Sequence, residues 1–341
     1  MKKVWIDITN SPHVLFFNPI IKKLKSRGYD VVVTARDFAQ VYDLLDEYQI
    51  EHVKIGNHKG KNKFKKVIGL IERTSKLKKF AKNKKIDIAL SLGSNDLALV
   101  AWMLKIPHMT LFDYEYAKIH HLNCRFATKI IVPSVISNDV LYKYGATVEK
   151  LVKFNGLKEE FYIHHYVKKD DFLTSIGIDR SKIIITIRPH ATEAHYQSNE
   201  NNILEELLLF LSNDDRVKVI VTPRNNEQSK TIKSMNLDNL IVLDKAVDGF
   251  NLISASDMVI SAGGTMNREA AALNIPVYSL YKGGTMGAVD CHLVDKGKMI
   301  LIESKNDFSK ISIQKRNMKE INNNTNDLLE YYIKLIIKNA K

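Results

Sequence analysis

The chain has 341 residues, of which 45% are hydrophobic and 26% are charged, a composition that suits two globular domains with sizeable cores. Only two cysteines, Cys124 and Cys291, occur, which excludes a disulfide framework and a cysteine zinc site and favours reduced thiols in a reducing compartment. The formal net charge is +13, from 51 basic and 38 acidic residues, which favours partners that carry anionic groups.

The first half of the chain alternates short apolar runs with amphipathic stretches. Strands are predicted at residues 4–8, 31–34, 52–55, 86–91, 108–112 and 129–132. Helices are predicted at residues 41–48, 95–104, 134–144 and 14–27, the last with its regular part beginning near Pro19. This βαβα order is typical of a parallel sheet that is covered by helices on both faces.

The turn signal Phe154-Asn155-Gly156 and an aperiodic stretch interrupt this alternation. It restarts with predicted strands at residues 182–187, 217–222, 240–243, 258–261, 277–280 and 299–302, and helices at 201–211, 228–235 and 265–273. We therefore predict an α/β protein with two doubly wound, Rossmann-like parallel-sheet domains that face a cleft, residues 1–155 and 156–324. Residues 325–341 are a predicted helix, capped by Thr325 or Asn326, that packs back on the first domain.

Positive charge is concentrated in residues 54–85, where thirteen lysines or arginines accompany one acidic residue, Glu72. This segment is either a solvated helix face or a surface for nucleic acid, anionic lipid or phosphorylated ligands. Only Phe64 and Phe80 are available to stack on bases, so lipid or phosphate is favoured and nucleic acid is not expected.

The opening stretch MKKVWIDITN has Asp7 and Asn10 within its apolar run, so we expect a first strand there and not a signal peptide. The most apolar stretch, residues 97–104, is too short to span a bilayer. We expect a soluble cytoplasmic protein that lies peripherally at the inner face of the membrane through residues 54–85.

The tetrapeptide Gly-Gly-Thr-Met occurs twice, each time after a short apolar run that is typical of a strand. In an open parallel sheet, ligands bind beyond the carboxyl ends of the strands, where loops lead into helices. In the first copy, Gly263 and Gly264 allow backbone N–H groups to approach a ligand closely, and Thr265 is the predicted N-cap of the next helix. The partial positive charge of that helix N-terminus makes this corner a candidate phosphate site.

The second copy repeats the corner at the next strand, with Gly284 and Thr285 in the loop and Asp290 in the following helix. Two adjacent corners suit the two ends of one extended ligand, such as a nucleoside diphosphate joined to a sugar. Glu269, one turn into the first helix, is then placed to accept hydrogen bonds from two neighbouring ribose hydroxyls. A chance repeat of a common glycine loop is the alternative interpretation.

These motifs resemble those of known nucleotide-sugar enzymes. SAGGTMNREAAALNIPVY resembles the donor-site signature of GT-B fold glycosyltransferases and of UDP-N-acetylglucosamine 2-epimerase, and NSPHVLFFNPIIKKLKSRGYDVVVTAR resembles the opening of that superfamily. Over nearly its full length the chain is most similar to the GT-B-like domain of unknown function 354, through WIDITNSPHV, SLGSND, FNGLKEEFY, IRPHATEAHY and GGTMNREAA. The resemblance implies a GT-B fold more strongly than it implies a reaction.

The resemblance assigns roles to several of these residues. It places Gly263 and Gly264 at the phosphates and Glu269 at the ribose, with Ala262 where many members have serine. In the opening loop, the positions that match the superfamily are Asn10, Ser11 and His13, with serine and proline in place of the usual glycines.

Basic residues follow two strands of the second domain. Arg188 and His190 resemble residues of the epimerases that contact the nucleotide diphosphate, and a guanidinium fork fits two phosphate oxygens. A surface ion pair between Arg188 and Glu193 is the alternative. Arg224, after the next strand, is expected to border the base or the phosphates.

Three residues of the first domain are candidates for acid–base chemistry. His13 is either a general base on an acceptor hydroxyl or a helix-start residue that hydrogen-bonds the backbone. Asp96 lies in the first turn of a helix, where dipole compensation is the simpler role, although the resemblance places the catalytic aspartate of the 2-epimerases here. Glu115, with Asp113, lies near the place where the resemblance puts an epimerase glutamate.

His120 and His121 stand near the place of a second epimerase glutamate, so the epimerase carboxylate set is incomplete. As neighbours on a helix they point to different faces and do not form a metal pair, and no other spacing indicates a metal site. No cofactor or metal is expected, as is general for the GT-B enzymes that the chain resembles.

The sequence thus predicts a metal-independent glycosyltransferase that uses a UDP-sugar or another nucleoside-diphosphate sugar as donor and a lipid-linked or cell-envelope glycan as acceptor. A nucleotide-sugar 2-epimerase and a non-catalytic nucleotide-sugar-binding protein are the alternatives. The sequence does not indicate the oligomeric state.

Overall fold

A computed structural model describes residues 1–58, 60, 63–190, 202–245, 247–280, 285–317 and 327–341 of the chain. These residues divide into two compact units. The described part of the first unit comprises residues 1–162, 287–289 and 327–341, and that of the second comprises residues 163–286 and 290–317, with the gaps given above. Each unit is an α/β structure, which confirms the predicted fold class.

The first unit is built on a parallel sheet. Its described strands are β1 (Lys3–Ile8), β2 (Asp30–Asp37), β3 (Val53–Asn57), β4 (Ile88–Ser91), β5 (His108–Leu111), β6 (Lys129–Pro133) and β7 (Leu151–Phe154), in the order β3-β2-β1-β4-β5-β6-β7. β1 pairs in parallel with β2 on one side and β4 on the other, so the strand order reverses beside β1. The carboxyl end of β1 therefore lies at the topological switch point, where doubly wound folds bind ligands.

Helices surround this sheet: α1 (Ser11–Ser26), α2 (Val41–Glu47), α3 (Lys63–Ala81), α4 (Asn95–Met103), α5 (His120–Phe126) and α6 (Asn138–Lys143). α1 begins earlier than predicted, because the Asn10 side chain accepts a hydrogen bond from the Ser11 N–H at the N-cap and Pro12 occupies the first turn. Pro19 lies inside α1, so the prediction that the regular helix begins near Pro19 was wrong.

The second unit has a smaller parallel sheet. Its described strands are β8 (Ile183–Arg188), β9 (Val217–Val221), β10 (Leu240–Val242), β11 (Met258–Ser261), β12 (Val277–Ser279) and β13 (Ile300–Leu301), in the order β10-β9-β8-β11-β12-β13. The helices are α7 (Phe172–Ser175), α8 (Asn202–Ser212), α9 (Asn226–Lys233), α10 (Gly249–Ala255), α11 (Gly264–Ala272) and α12 (Ala288–Asp295), the first two residues of α12 being grouped with the first unit. Aliphatic side chains of β8, β9 and β11 form its core.

The last helix, α13 (Leu328–Asn339), belongs to the first unit and contacts α1. Its N-cap is Asp327, whose side chain accepts a hydrogen bond from the Glu330 N–H. The residues expected in that role, Thr325 and Asn326, lie outside the described residues. Tyr332 is fully buried and packs edge-on against Phe16 of α1, which ties the end of the chain to its beginning.

Candidate functional site

Four neighbouring strands of the second sheet end in polar residues at the same edge. β8 ends at Arg188, Arg224 follows β9, and the loop from Ser261 to Gly263 leaves β11. β12 completes the edge, and the Leu280 carbonyl just beyond it accepts a 2.6 Å hydrogen bond from His190 Nε2. Because these four strands are adjacent, residues separated by up to a hundred positions in sequence converge at one place.

The glycine corner, residues 261–265, is the centre of this edge. Gly263 is the N-cap residue of α11, with an extended backbone, and its N–H donates a 2.9 Å hydrogen bond to the Ser261 hydroxyl. α11 therefore begins at Gly264, and the prediction of Thr265 as the N-cap was wrong: Thr265 is the second helical residue. The N–H groups of this first turn have no acceptor within the helix, so the corner presents donors and the positive end of the helix dipole to an anion.

Two arginines flank the glycine corner. The Arg224 Nε donates to the Pro189 carbonyl at 3.1 Å, which directs the guanidinium toward the corner. A β-carbon on Gly263 would lie only 2.7 Å from Arg224 Nη2, so the absence of a side chain there allows the arginine to approach. Gly263 thus has a steric role beside its backbone role.

Arg188 and Arg224 repel each other, and the Glu269 carboxylate acts on Arg188. Desolvation and the charge of Arg188 lower the pKa of Arg224 to about 10. Desolvation also lowers the pKa of Arg188, and Glu269 offsets this only in part. Both guanidinium groups stay charged at neutral pH, and a bound anion would relieve their mutual repulsion.

The α11 helix carries the remaining residues of this site. Glu269 is buried and lies close enough to Arg188 to influence its pKa. Arg268 forms a 2.9 Å ion pair with Asp290 of α12, and a β-carbon on Gly264 would lie 2.6 Å from Arg268 Nη1. Asp290 therefore neutralises a neighbouring arginine. Its predicted contact with the ligand, like that of Glu269, stays a prediction.

The second glycine corner is described only in part. Gly284 lies outside the described residues, and Thr285 is exposed.

Gln228 joins the loops that follow β8 and β9. Its Nε2 donates to the His190 carbonyl at 3.3 Å, and its Oε1 accepts from the Arg224 N–H at 2.8 Å. Gln228 was not identified from the sequence, although it connects the two loops that carry predicted site residues.

In the first unit, His13 lies in the first turn of α1, just beyond the carboxyl end of β1. Its Nδ1 is 3.5 Å from the Thr9 backbone nitrogen and 3.4 Å from Thr9 Oγ1. Burial and the charge of Lys158 lower the pKa of His13 to about 3, so the ring is neutral at physiological pH. Because the backbone N–H of Thr9 can only donate, this geometry favours the tautomer with hydrogen on Nε2. Of the other two loop residues, Asn10 caps α1, and the Ser11 hydroxyl accepts a hydrogen bond from the Gln40 N–H.

Asp96 belongs to a buried charge cluster. It forms a 3.0 Å ion pair with Arg73 of α3, and Arg73 also forms two hydrogen bonds with Asp7 at 2.7 and 3.0 Å. Burial raises the pKa of Asp96, and Arg73 offsets this only in part. Burial alone would raise the pKa of Asp7 as well, but Arg73, Ser94 and Thr34 hold it below its ordinary value.

The sequence did not identify Arg73 or Asp7 as members of a site. The one signal was that Arg73 is the single arginine among twelve lysines in residues 54–85. Ser94 caps α4, with its hydroxyl accepting from the Leu97 N–H at 3.3 Å. Asp96 follows in the first turn, where it was expected to interact with the helix dipole. Its carboxylate also accepts a hydrogen bond from Arg73.

Glu115 is a buried carboxylate beyond β5. Its Oε1 accepts a 2.8 Å hydrogen bond from the Ala288 N–H, and within the described part of the chain Oε2 has no hydrogen-bond partner. Asp113 nearby forms a 2.8 Å ion pair with Lys158, for which the sequence predicted no role. Among the predicted acid–base residues, Glu115 thus has one carboxylate oxygen without a hydrogen-bond partner in the described part of the chain.

His120 and His121 differ in environment, as their adjacent positions on α5 predict. His120 is buried and its Nε2 lies 2.6 Å from the Tyr114 carbonyl, whereas His121 is exposed. Over the described ranges, no group of three or more His, Cys, Asp or Glu residues is arranged to hold a metal ion. Within the same ranges, no helix has the length and hydropathy needed to cross a bilayer.

The two Rossmann-like units place the molecule in the GT-B fold class. The chain belongs to the family described as "Protein of unknown function (DUF354)", whose model matches residues 2–341. It is 31% identical over 303 residues to the uncharacterized protein MJ0665 of Methanocaldococcus jannaschii, covering 87% of this chain and 86% of the relative.

Solved structures with the same fold are much more distant in sequence. The UDP-GlcNAc 2-epimerase of Methanocaldococcus jannaschii, in complex with UDP-GlcNAc and UDP, superposes with a TM-score of 0.73 at 16% identity, covering 98% of this chain and 99% of that one. MurG of Acinetobacter baumannii superposes with a TM-score of 0.62 at 16% identity, covering 99% and 100%. The predicted GT-B fold and the predicted family are confirmed.

Proposed function

We propose that this chain is a glycosyltransferase that uses a nucleoside-diphosphate sugar as donor and binds the diphosphate at the glycine corner of its second unit. One observation carries the proposal: the Arg224 guanidinium lies beside Gly263 at the N-terminus of α11, with Arg188 close enough to lower the pKa of Arg224. A diphosphate would accept hydrogen bonds from the guanidinium groups and from the first-turn N–H groups together.

The same groups provide a catalytic rationale. When the bond between the sugar and the diphosphate breaks, negative charge develops on the leaving phosphate. Arg188, Arg224 and the α11 N-terminus stabilise that charge with donors that are already in place. These arginines supply the positive charge that a metal ion would otherwise bring, so we propose that activity persists in the presence of a chelator.

Glu269 is the proposed ribose ligand. It lies one turn into α11, is buried, and is near Arg188. Its carboxylate can accept from two vicinal hydroxyls while the phosphates contact the corner. We propose UDP as the nucleotide, because the structurally similar epimerase of M. jannaschii was solved with UDP-GlcNAc and UDP.

The first unit supplies the acid–base candidates. Asp96 is held in an ion pair with Arg73, and the low pKa of His13 makes its imidazole a weak base that presents Nε2–H as a donor. Glu115 retains an oxygen without a described partner. We therefore propose Glu115 as the general base on the acceptor hydroxyl and His13 as a hydrogen-bond donor to a substrate oxygen.

A binding experiment tests the donor site. The dissociation constants of UDP and UDP-GlcNAc are measured by titration calorimetry on the wild type and on Arg224→Gln. Loss of a charged hydrogen bond costs about 1.5–3 kcal/mol, so we expect affinity to fall by roughly 10- to 100-fold. Arg216→Gln is the matched control, because Arg216 is exposed and paired with Asp214 at the start of β9, the opposite edge of the sheet. If Arg224→Gln binds UDP and UDP-GlcNAc as tightly as Arg216→Gln does, the proposed site is contradicted.

The second candidate is a nucleotide-sugar 2-epimerase. It is favoured by the higher TM-score to the epimerase structure, 0.73 against 0.62 for MurG, and by the buried Glu115 carboxylate. Proton NMR of UDP-GlcNAc incubated with the protein alone distinguishes the two. An epimerase converts the sugar without any acceptor. A transferase leaves it unchanged and releases UDP when a polyprenyl-diphosphate-linked glycan is added.

A further inference from the structure

The outward face of α3 combines aliphatic side chains with positive charge. Val67, Ile68 and Ile71 are 56%, 62% and 66% exposed, which is unusual for three large apolar residues within five positions. The helix sequence has six lysines and one arginine against one glutamate. Of its described side chains, Lys65, Lys76 and Lys79 are exposed around the aliphatic ones.

The exposure of these aliphatic residues is not required by packing of the helix. α3 buries Arg73, Thr74, Leu77 and Ala81 of its second half, whereas Val67, Ile68 and Ile71 lie in its first half. Arg73 fixes that second half further through its hydrogen bonds to the Ile55 carbonyl and to Asp7. The position of α3 is therefore determined by the buried residues of its second half, and the exposed side chains of α3, which we call its outer face, are available for a second contact.

The apolar and basic character continues beside α3. Trp102 and Met103, at the end of α4, are 58% and 44% exposed. A groove of about 700 Å³ is lined there by Lys78 of α3, by Trp102 and Phe126, and by Lys105 and Lys341. Three lysines thus line a groove that also contains an aromatic pair, whose ring centroids are 5.0 Å apart.

We propose that the α3 surface, which comprises the outer face of α3 and this groove, docks on an anionic lipid bilayer. Lysines attract anionic headgroups, aliphatic side chains enter the acyl boundary, and tryptophan favours the interface between the two. A nucleic acid would complement the positive charge, because its phosphates contact cations and its bases stack on aromatic rings. Neither interaction accounts for the exposed aliphatic side chains of Val67, Ile68 and Ile71. The charge and the aliphatic groups together fit lipid.

Vesicle sedimentation tests this proposal without any nucleotide, so its failure and the failure of the proposed function are separable. The wild type is expected to bind phosphatidylcholine vesicles that contain phosphatidylglycerol, and to bind phosphatidylcholine alone at least about tenfold more weakly. The combined variant Lys76→Gln, Lys78→Gln, Lys79→Gln is expected to lower partitioning at least about tenfold, since each lysine near an anionic surface contributes roughly fivefold.

Two further variants make the test specific. Ile68→Gln with Ile71→Gln retains every charge and is expected to lower partitioning several-fold. Lys22→Gln, Lys25→Gln, Lys143→Gln removes the same charge from exposed lysines of α1 and α6 and is expected to bind like the wild type. All substituted residues are exposed, and unchanged melting temperatures confirm that the variants fold. Full binding by the isoleucine variant, equal loss in the control, or binding of single-stranded RNA in place of vesicles overturns the proposal.

Discussion

Arg73 holds two carboxylates that are almost completely removed from water. Asp7 is 0% and Asp96 6% exposed, and both contact the same guanidinium. Breaking a buried ion pair from one side leaves an uncompensated charge, which costs roughly 3–5 kcal/mol. We expect Arg73→Leu to lower the free energy of unfolding of the first unit by about that amount in urea denaturation.

The partner variant separates charge from packing. Adding Asp96→Asn to Arg73→Leu removes one of the two buried carboxylates that have lost their arginine partner. The double variant is expected to recover part of the lost free energy of unfolding. If the double variant is no more stable than Arg73→Leu, the cluster acts through the shape of the arginine side chain and not through its charge.

Gly263 is expected to matter for ligand binding and not for folding. Its backbone is extended at φ −115°, which alanine adopts readily, but a β-carbon would displace Arg224 Nη2 from 2.7 Å away. Gly263→Ala should therefore melt like the wild type and bind UDP about tenfold more weakly, on the scale of one charged hydrogen bond. Gly249→Ala is the control, since a β-carbon there meets nothing within 4 Å. Wild-type affinity in Gly263→Ala contradicts the proposed approach of Arg224.

At the scale of elements, α13 ties the end of the chain to α1. Tyr332 is 0% exposed, and its hydroxyl has no hydrogen-bond partner among the described residues. Burial raises the pKa of Tyr332, as expected for a phenol without a partner. Removing a buried, unpaired polar group recovers its desolvation penalty of about 1–3 kcal/mol.

We therefore expect Tyr332→Phe to be at least as stable as the wild type, and up to about 1–2 kcal/mol more stable in thermal or urea unfolding. Tyr332→Ala deletes the ring that contacts Phe16 and Phe161, and should cost about 3–5 kcal/mol. Destabilisation by Tyr332→Phe would show that the hydroxyl has a partner after all.

The elements that the sequence predicted best are those with strong periodicity or buried strands. β11 was predicted with its observed limits, and β1, β5 and β9 within a residue at each end. β7 was missed because LVKF is short and carries a lysine, and α10 because its buried asparagine and serine mask the apolar period. In these places tertiary packing, not local pattern, decides the structure.

In the candidate site, too, some residues could be predicted from local sequence and others could not. The glycines after β11 could be identified in this way, and so could the charged residues at the ends of β8 and β9. The cap of α11 could not, because it depends on the Ser261 hydroxyl turning back to the Gly263 N–H. The pairing of Arg73 with Asp7 joins residues 66 positions apart, and no local pattern reveals such a contact.

At the scale of the whole molecule, histidines make stability depend on pH. Burial lowers the pKa of His108 to about 3, and His13 has the same value for the reasons given above. An unfolded histidine titrates near 6.5, so between these values the unfolded chain binds more protons than the native one. The contribution of these neutral histidines to the free energy of unfolding is fully present above about pH 6.5 and is lost as the pH falls toward 3. For fully buried His108 the loss is up to about 1.4 kcal/mol per pH unit.

Melting temperatures measured between about pH 7 and pH 4.5 are expected to fall, and His108→Gln should flatten this dependence at the expense of stability near neutrality. His121→Gln, at an exposed position of the same unit, is the control. A dependence that is identical in His108→Gln and in the wild type would show that other groups cause the acid instability.

The central claim is that the second unit binds a nucleoside-diphosphate sugar through the glycine corner, the two arginines and Glu269. The most direct measurement is a thermal-shift panel of UDP-, GDP-, dTDP- and CDP-sugars on the wild type and on Glu269→Ala. A ligand that binds only the native state raises the melting temperature by mass action. We expect UDP-sugars to raise that of the wild type and to have little effect on Glu269→Ala. If no nucleotide sugar shifts the wild type, the proposed donor site is contradicted.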